Sequence, residues 1–426
     1  MQTKLGLASA TPGLDAHCRR VAALALEIAR RLRLPAEATT TLEQAALLHH
    51  YPAALLEDES MHRLMTDLAG QRWWLVVDSS RTALDLPADV KAVLRAANTP
   101  PADAHMNRAA ILAQIVEIAN LMDEQMELMP YEFQTQDQVL EGIRNVSQDD
   151  WFLPDIVLAL TSLPRVRRED LIDIVYRLPV FPGLALKALG QGPDPGMNFA
   201  QLYELAMSDK VLPGDLLQVA NSSSPSRRIA NIGQAITSIG MHAARKVLMA
   251  AVLRPFFLSA RLTELWNHSV TTAHCAERLA TISGRVDPAE AFLSGLVHDV
   301  GALAMEKLNG EAAAARERIV QCGCEPIFVE RILCRFDHAD LGGDILQRWN
   351  FPEGLSEGVR RHHQPEQTES PLAAILYLAE YWCGSEEDLP SSFRLNLSLD
   401  RTGLTFDRMR EADDRHGLVD TLIYAA

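Results

Sequence analysis

Apolar residues recur at intervals of three and four along almost the whole chain, as in Val21, Leu24, Ala25, Ile28 and Leu32. That spacing gives a helix one face shielded from water. Alternating runs that would suit a half-buried strand are nearly absent, with Trp73 to Val77 and Phe393 to Leu399 the two candidates. Ala, Leu, Glu and Arg, all good helix formers, dominate the composition. The pattern predicts an all-α chain. Its helices are expected to break at Pro35, Pro87, Pro100, Pro130, Pro154, Pro164, Pro182 and Pro352, because proline lacks the amide donor and crowds the preceding turn.

A length of 426 residues corresponds to roughly two to four domains, each able to bury its own core. Acidic residues outnumber Lys and Arg, leaving a formal charge of −16, so no global field attracts nucleic acid. The longest nearly apolar run, Val247 to Ala260, is interrupted by Arg254 and Pro255 and is too short to cross a bilayer. The first thirty residues show no basic start followed by an apolar segment and a small-residue cleavage site, and a cytoplasmic location is expected. Six cysteines without a framework of spacings fit reduced thiols. Cys322-Gly323-Cys324 lacks zinc-knuckle spacing and a second pair, so it reads as two small thiols.

GLVHDVG, Gly295 to Gly301, carries the chemistry. An adjacent histidine and aspartate at the end of an apolar helix can aim an imidazole and a carboxylate at one ion, and an aspartate can bridge two. Alone, such a doublet means little, since one histidine on an apolar face is usually a satisfied core residue. Here His298 and Asp299 have company: His268 thirty residues upstream, His338 downstream, the pair His362-His363, and Glu380 on an apolar helix. That order resembles the HD domain family of metal phosphohydrolases. The resemblance implies that these seven residues are metal ligands and that the ion is a divalent transition metal, manganese, iron or zinc.

The chain also repeats itself. Aligning His17 with His268 places Ala22, Ala25, Ile28 and Ala29 on Ala273, Ala276, Leu279 and Ala280, one helical face in each copy. The next helix ends in Leu47 to His50 in the first copy and in Leu296 to Asp299 in the second, 32 and 30 residues after the leading histidine. Ala96 and Ala97 then stand where His362 and His363 stand, and Asn120 falls near Glu380. The first copy therefore reads as a degenerate HD-like domain, stripped of the charged ligands that a divalent cation needs.

A second resemblance begins at LPVFPG, Leu178 to Gly183, and continues through Asp194 to Ser223 and Asn231 to Met249. Ala220-Asn221-Ser222 and the run Ala235 to Gly240 are similar to the motifs of the HDOD domain, the HD-related output domain of bacterial signalling proteins. Asn221 and Ser222 suit a helix end, which gives them a structural role. With the HD half, the resemblance spans about residues 178 to 385.

These readings give four expected segments: a degenerate HD-like domain at 1–130, a helical linker at 131–173, an HDOD domain at 174–385 and an extension at 386–426. The mixed stretch of the linker, from Gln148-Asp149-Asp150 and Trp151-Phe152 to Leu163 to Asp170, fits one or two connecting helices. The resemblance implies regulation rather than catalysis, since HDOD modules generally serve as output or interaction domains, and fold alone does not specify activity. Expected partners are signalling proteins, a nucleotide messenger, or a second copy of the chain; nucleic acid and membrane are not expected. The competing expectation is a metal-dependent phosphohydrolase centred on Asp299. Three departures weigh against it: Ala302 stands where active cyclic-dinucleotide enzymes of this type carry a lysine, Gln364-Pro365-Glu366-Gln367 replaces a Gly-Tyr-Pro run, and Glu380 stands where aspartate is usual. A cation near the reacting phosphoryl group stabilises its charge, and here that cation is missing from its position.

Overall fold

A computed structural model describes residues 12–49, 86–96, 107–132, 139–143, 145, 152–164, 166, 168–178, 198–208, 212–223, 228–257, 260–308, 310–334, 336–383 and 392–411. Among these residues there are twenty α-helices and no strand. In chain order they are α1 (Pro12–Arg31), α2 (Ala36–Leu47), α3 (Ala88–Arg95), α4 (Arg108–Glu132), α5 (Pro154–Thr161), α6 (Arg168–Arg177) and α7 (Phe199–Met207). Then come α8 (Leu212–Ser223), α9 (Ile232–Ile239), α10 (Met241–Leu253), α11 (Ala260–Ser283), α12 (Pro288–Val297), α13 (Ala302–Met305) and α14 (Gly310–Gln321). The last are α15 (Pro326–Cys334), α16 (His338–Arg348), α17 (Glu353–Arg360), α18 (Pro371–Cys383), α19 (Ser392–Thr402) and α20 (Phe406–Glu411).

The fold is all-α. One of the two strand candidates, Phe393 to Leu399, is instead part of α19: Ser398, Leu399 and Thr402 are buried and Leu395 is half-buried. Positions 395, 398, 399 and 402 share one helical face, so the helical period outweighs the apparent alternation. The other candidate, Trp73 to Val77, lies outside the described residues. Pro35, Pro87 and Pro352 each sit in extended backbone just before α2, α3 and α17, and Pro154 opens α5, where its missing amide costs no helical bond. Pro130 does not end its helix, since α4 runs to Glu132; so near the terminus only one intrahelical bond is lost. Pro164 follows α5, and Pro100 and Pro182 lie outside the described residues.

The chain forms two compact units, one of residues 1–167 with 309–335 and 387–389, the other of residues 168–308 with 336–386 and 390–426. In the first, α1 packs on α2, α4, α5 and α14, and α3 packs on α2 and α4. Val21, Leu24, Ala25 and Ile28 are wholly buried there. In the second, α11 packs on α12 and α18, and α17 packs on α12, α16 and α18, around Phe292, Trp349 and Leu355. The units do not follow the order of the sequence. Residues 309–335 fall inside the HDOD resemblance yet pack with residues 1–167, held there by ion pairs to α1 that no apolar periodicity announces.

Two HDOD motifs have clear local jobs. The Asn221 side chain donates to the carbonyls of Leu217 and Ile229 at 2.7 and 2.8 Å and accepts from the Ile229 amide at 2.7 Å, which closes the connection from α8 toward α9. Gly240 adopts φ +83°, a left-handed value open to glycine, and lets α9 end where α10 begins. Among the described residues no single helix is long and apolar enough to cross a membrane; the pair 232–239 and 241–257 reaches the length only with a bend of 116°. All six cysteines are free, with Cys322 exposed and Cys324 buried.

Candidate metal centre

The seven predicted ligands converge within the second unit. α11 supplies His268, the turn after α12 supplies His298 and Asp299, His338 is the first residue of α16, His362 and His363 follow α17, and Glu380 lies on α18. Asp299, His338, His362 and His363 each offer a ligand atom within 4.8 Å of one another, and so do His268, His298, Asp299 and Glu380. Asp299 belongs to both groups.

Backbone architecture makes this convergence. Asp287 caps α12, whose first residue is Pro288, and the helix stops at Val297, so that His298 and Asp299 leave its end together. Asp337 caps α16 in a reciprocal capping box with Asp340, at 3.0 and 3.5 Å, which orients His338. α16 can lie against the His-Asp turn because two glycines meet there. A Cβ on Gly301 would overlap the carbonyl of His338, and one on Gly342 would press on the Val359 side chain at 3.2 Å and the His298 carbonyl at 3.4 Å.

The two oxygens of Asp299 divide their neighbours. Oδ2 lies 3.3 Å from His298 Nε2 and 3.6 Å from His268 Nε2. Oδ1 lies 3.2 Å from His338 Nε2 and 3.9 Å from His362 Nε2. Glu380 divides its own: Oε1 is 3.2 Å from His298 Nε2 and 3.6 Å from His362 Nε2, while Oε2 is 3.3 Å from His363 Nδ1. His338 and His363 face each other through their Nε2 atoms at 2.8 Å.

Two of the imidazoles are anchored through Nδ1. His298 Nδ1 is 2.7 Å from the Gly295 carbonyl, and His362 Nδ1 is 2.6 Å from the Val359 carbonyl. A carbonyl only accepts, so each Nδ1 donates and each Nε2 faces the cluster, the arrangement that metal-bound histidines usually have. His362 Nε2 and Asp299 Oδ1 are buried and make no hydrogen bond. Such atoms are costly in a protein interior unless something electrophilic meets them, and a divalent ion would meet both. On these observations the donor set fits a metal.

Electrostatics point the same way. Burial opposes charge on His298, but the Asp299 and Glu380 carboxylates outweigh it and raise its pKa to about 10. Burial also works against the Asp299 carboxylate, yet the neighbouring His298 and His338 hold its pKa well below the ordinary value, and His363 and His362 do the same for Glu380. Burial keeps His268, His362 and His363 below the ordinary histidine value, hence uncharged near neutrality and ready to ligate. Two ionised carboxylates beside three neutral imidazoles form a centre that attracts a cation, and an ion bound there would displace the extra proton of His298.

The residues aligned in the first copy also meet. His17 Nε2 and His49 Nε2 are 3.3 Å apart, as His268 and His298 are at 3.2 Å. His49 Nδ1 lies 2.6 Å from the Ala46 carbonyl, repeating the His298 arrangement, and Asn120 Oδ1 lies 3.1 Å from His49 Nε2 where Glu380 Oε1 is 3.2 Å from His298 Nε2. Ala96 follows α3 as His362 follows α17. His50 and Ala97 lie outside the described residues. Sequence reading did not anticipate Arg20 and Asp123, which form a buried bidentate pair at 2.7 and 3.1 Å beside His17. It also overlooked Asp337, although the Asp337/Asp340 spacing is a recognisable capping pattern.

Residues 178–365 match the HDOD domain family. The chain carries an HDOD domain. Its fold is shared by an HDOD domain protein of Geobacter sulfurreducens, at 21% identity and a TM-score of 0.50 over 60% of this chain and 97% of that one. A chain from Marinobacter aquaeolei VT8 is similar over 60% of this chain and 64% of its own length, at 17% identity and a TM-score of 0.50. In sequence, a Treponema pallidum protein is 23% identical over 218 residues, which is 49% of this chain. This chain spans 42% of the length of that curated relative. At these identities the solved structures speak to fold, and the chemistry must be read from the seven side chains.

Proposed function

We propose that this chain is a signalling protein whose HDOD domain holds one or two divalent transition-metal ions, of manganese, iron or zinc, and binds a partner protein or nucleotide messenger without hydrolysing it. The observation that carries the reading is the division of Asp299, with Oδ2 toward His268 and His298 and Oδ1 toward His338 and His362. A carboxylate with a set of histidines on each oxygen is suited to bridge two ions. Bound there, a metal would supply Lewis acidity, while His298 and His362, fixed through their Nδ1 atoms, would hold its position.

The surroundings favour binding over turnover. Ala302 offers no charge. The two arginines before His362 are engaged elsewhere: Arg360 donates to the Asp340 carbonyl at 2.8 Å and pairs with Asp344 at 2.7 Å, and Arg361 donates to Gln367 at 2.9 Å. Without a side-chain cation beside the metal for the phosphoryl oxygens, a transition state loses on the order of a hundredfold or more in rate. Elemental analysis of the purified chain, followed by product release from bis(p-nitrophenyl) phosphate and cyclic dinucleotides, tests the proposal. Bound metal with negligible release supports it. Multiple turnover that disappears in His298→Ala and Asp299→Ala would install the phosphohydrolase instead, and absence of metal would remove the centre from both readings.

A further inference from the structure

α1 carries a charged stripe, Arg20, Glu27 and Arg31, at intervals of seven and four residues on one helical face. Opposite it, on the hairpin of α14 and α15, stand Glu325, Arg318 and Glu311. Arg318 holds Glu27 in a bidentate pair at 2.6 and 2.8 Å. Arg31 lies 3.2 Å from Glu311 and Arg20 lies 3.8 Å from Glu325. The signs alternate in register: plus, minus, plus on the helix against minus, plus, minus on the hairpin. Around Arg20 the contact closes further, with its guanidinium 5.2 Å above the Phe328 ring and the Cys324 thiol 3.6 Å from the Arg19 carbonyl.

Arg20 is also the link to the degenerate ligand set. Its guanidinium occupies both oxygens of Asp123, which is wholly buried and 2.6 Å from His17. The packing around these residues repeats that of the HDOD half. α1 meets α2 and α4, α2 meets α3 and α4, and α3 meets α4, as α11 meets α12 and α18, α12 meets α17 and α18, and α17 meets α18. In this bundle an internal guanidinium neutralises the buried carboxylate.

The hairpin lies between ligands in the chain. Asp299 precedes α14 by eleven residues, and His338 follows the end of α15 by four. We infer that the first unit is an HD-type bundle converted from metal holding to a clamp, and that the Arg20, Glu27 and Arg31 stripe, by gripping the 310–334 hairpin, sets how well His338 is placed to ligate. This rests on the proposed metal centre. The outer pair, Arg31 with the exposed Glu311, is the one that salt weakens, and release of the hairpin would free the chain between Asp299 and His338.

The test is a charge exchange in the full chain, read by hydrogen exchange and by metal uptake. Arg318→Glu sets two acids against each other and should raise amide exchange across 310–334 by about tenfold or more, with weaker manganese or zinc binding. Adding Glu27→Arg restores opposite charges and should recover much of both, which a general loss of fold would not do. Arg31→Glu, at the more exposed end, should produce the same changes in smaller size. Unchanged exchange in Arg318→Glu overturns the clamp. Raised exchange with unaltered metal affinity overturns the link to His338. A wild-type chain that takes up no metal overturns the metal reading and the link together, while the hairpin exchange still decides the clamp.

Discussion

Gly301 meets the backbone of His338 so closely that a Cβ would overlap the His338 carbonyl. The turn that presents Asp299 and the helix that presents His338 are thus fitted to each other through a missing side chain. Gly301→Ala must push α16 away or distort the turn, and overpacking of this kind typically costs about 1–3 kcal/mol. Thermal melts should show that loss together with reduced metal uptake. Gly354, with open space around its Cβ position, provides the control: its alanine variant should melt like the wild type and keep its metal.

The division of the Asp299 oxygens predicts a graded response to ligand removal. Asp299→Ala should abolish metal binding altogether, since both ligand groups share it. His268→Ala and His363→Ala each impair a different group and should leave about half the metal of a doubly loaded centre. Elemental analysis of the three variants against wild type measures this. A full equivalent left in Asp299→Ala would place metal outside the HDOD centre.

Acid should destabilise the chain through two histidines remote from the seven ligands. Burial, assisted by His17, lowers His49 to about 4, and burial, assisted by Lys246, lowers His274 to about 4. In the unfolded chain both titrate near 6.5. Between pH 6.5 and 4 the unfolded state therefore binds more protons, so stability falls as the pH falls through that window and is unaffected by these groups above it. Each contributes a slope of up to about 1.4 kcal/mol per pH unit. Urea titrations of His274→Asn across this window should show a shallower decline than wild type.

Arg20 and Asp123 should behave as a buried pair. Arg20→Met leaves the wholly buried Asp123 with its charge uncompensated by the guanidinium, a loss of about 3–5 kcal/mol when one partner goes. Arg20→Met with Asp123→Leu should regain much of that, because replacing both charged partners with apolar groups is often neutral. Denaturant unfolding in chelator, where the HDOD centre contributes no metal stabilisation, isolates the effect. Equal losses in the single and double variants would mean that Asp123 does not depend on Arg20.

The sequence by itself determined the helices and the roster of ligands. The three-to-four period of Val21 to Ile28 is a local property, and desolvation of one helical face follows from it wherever the helix packs. The order His268, His298-Asp299, His338, His362-His363 and Glu380 was legible for the same reason: the residue types and their turns are written along the chain. Tertiary structure decided what spacing cannot encode. Which oxygen of Asp299 faces which histidine depends on α16 lying against Gly301. The ring orientations of His298 and His362 depend on carbonyls freed at helix ends. The clearest case is the 309–335 segment, contiguous in sequence with the HDOD residues but packed with residues 1–167. Arg318 and Glu27 are 291 positions apart, and pairing at such a distance leaves no periodic trace, because the charges of a helical stripe acquire a partner only when the fold supplies one.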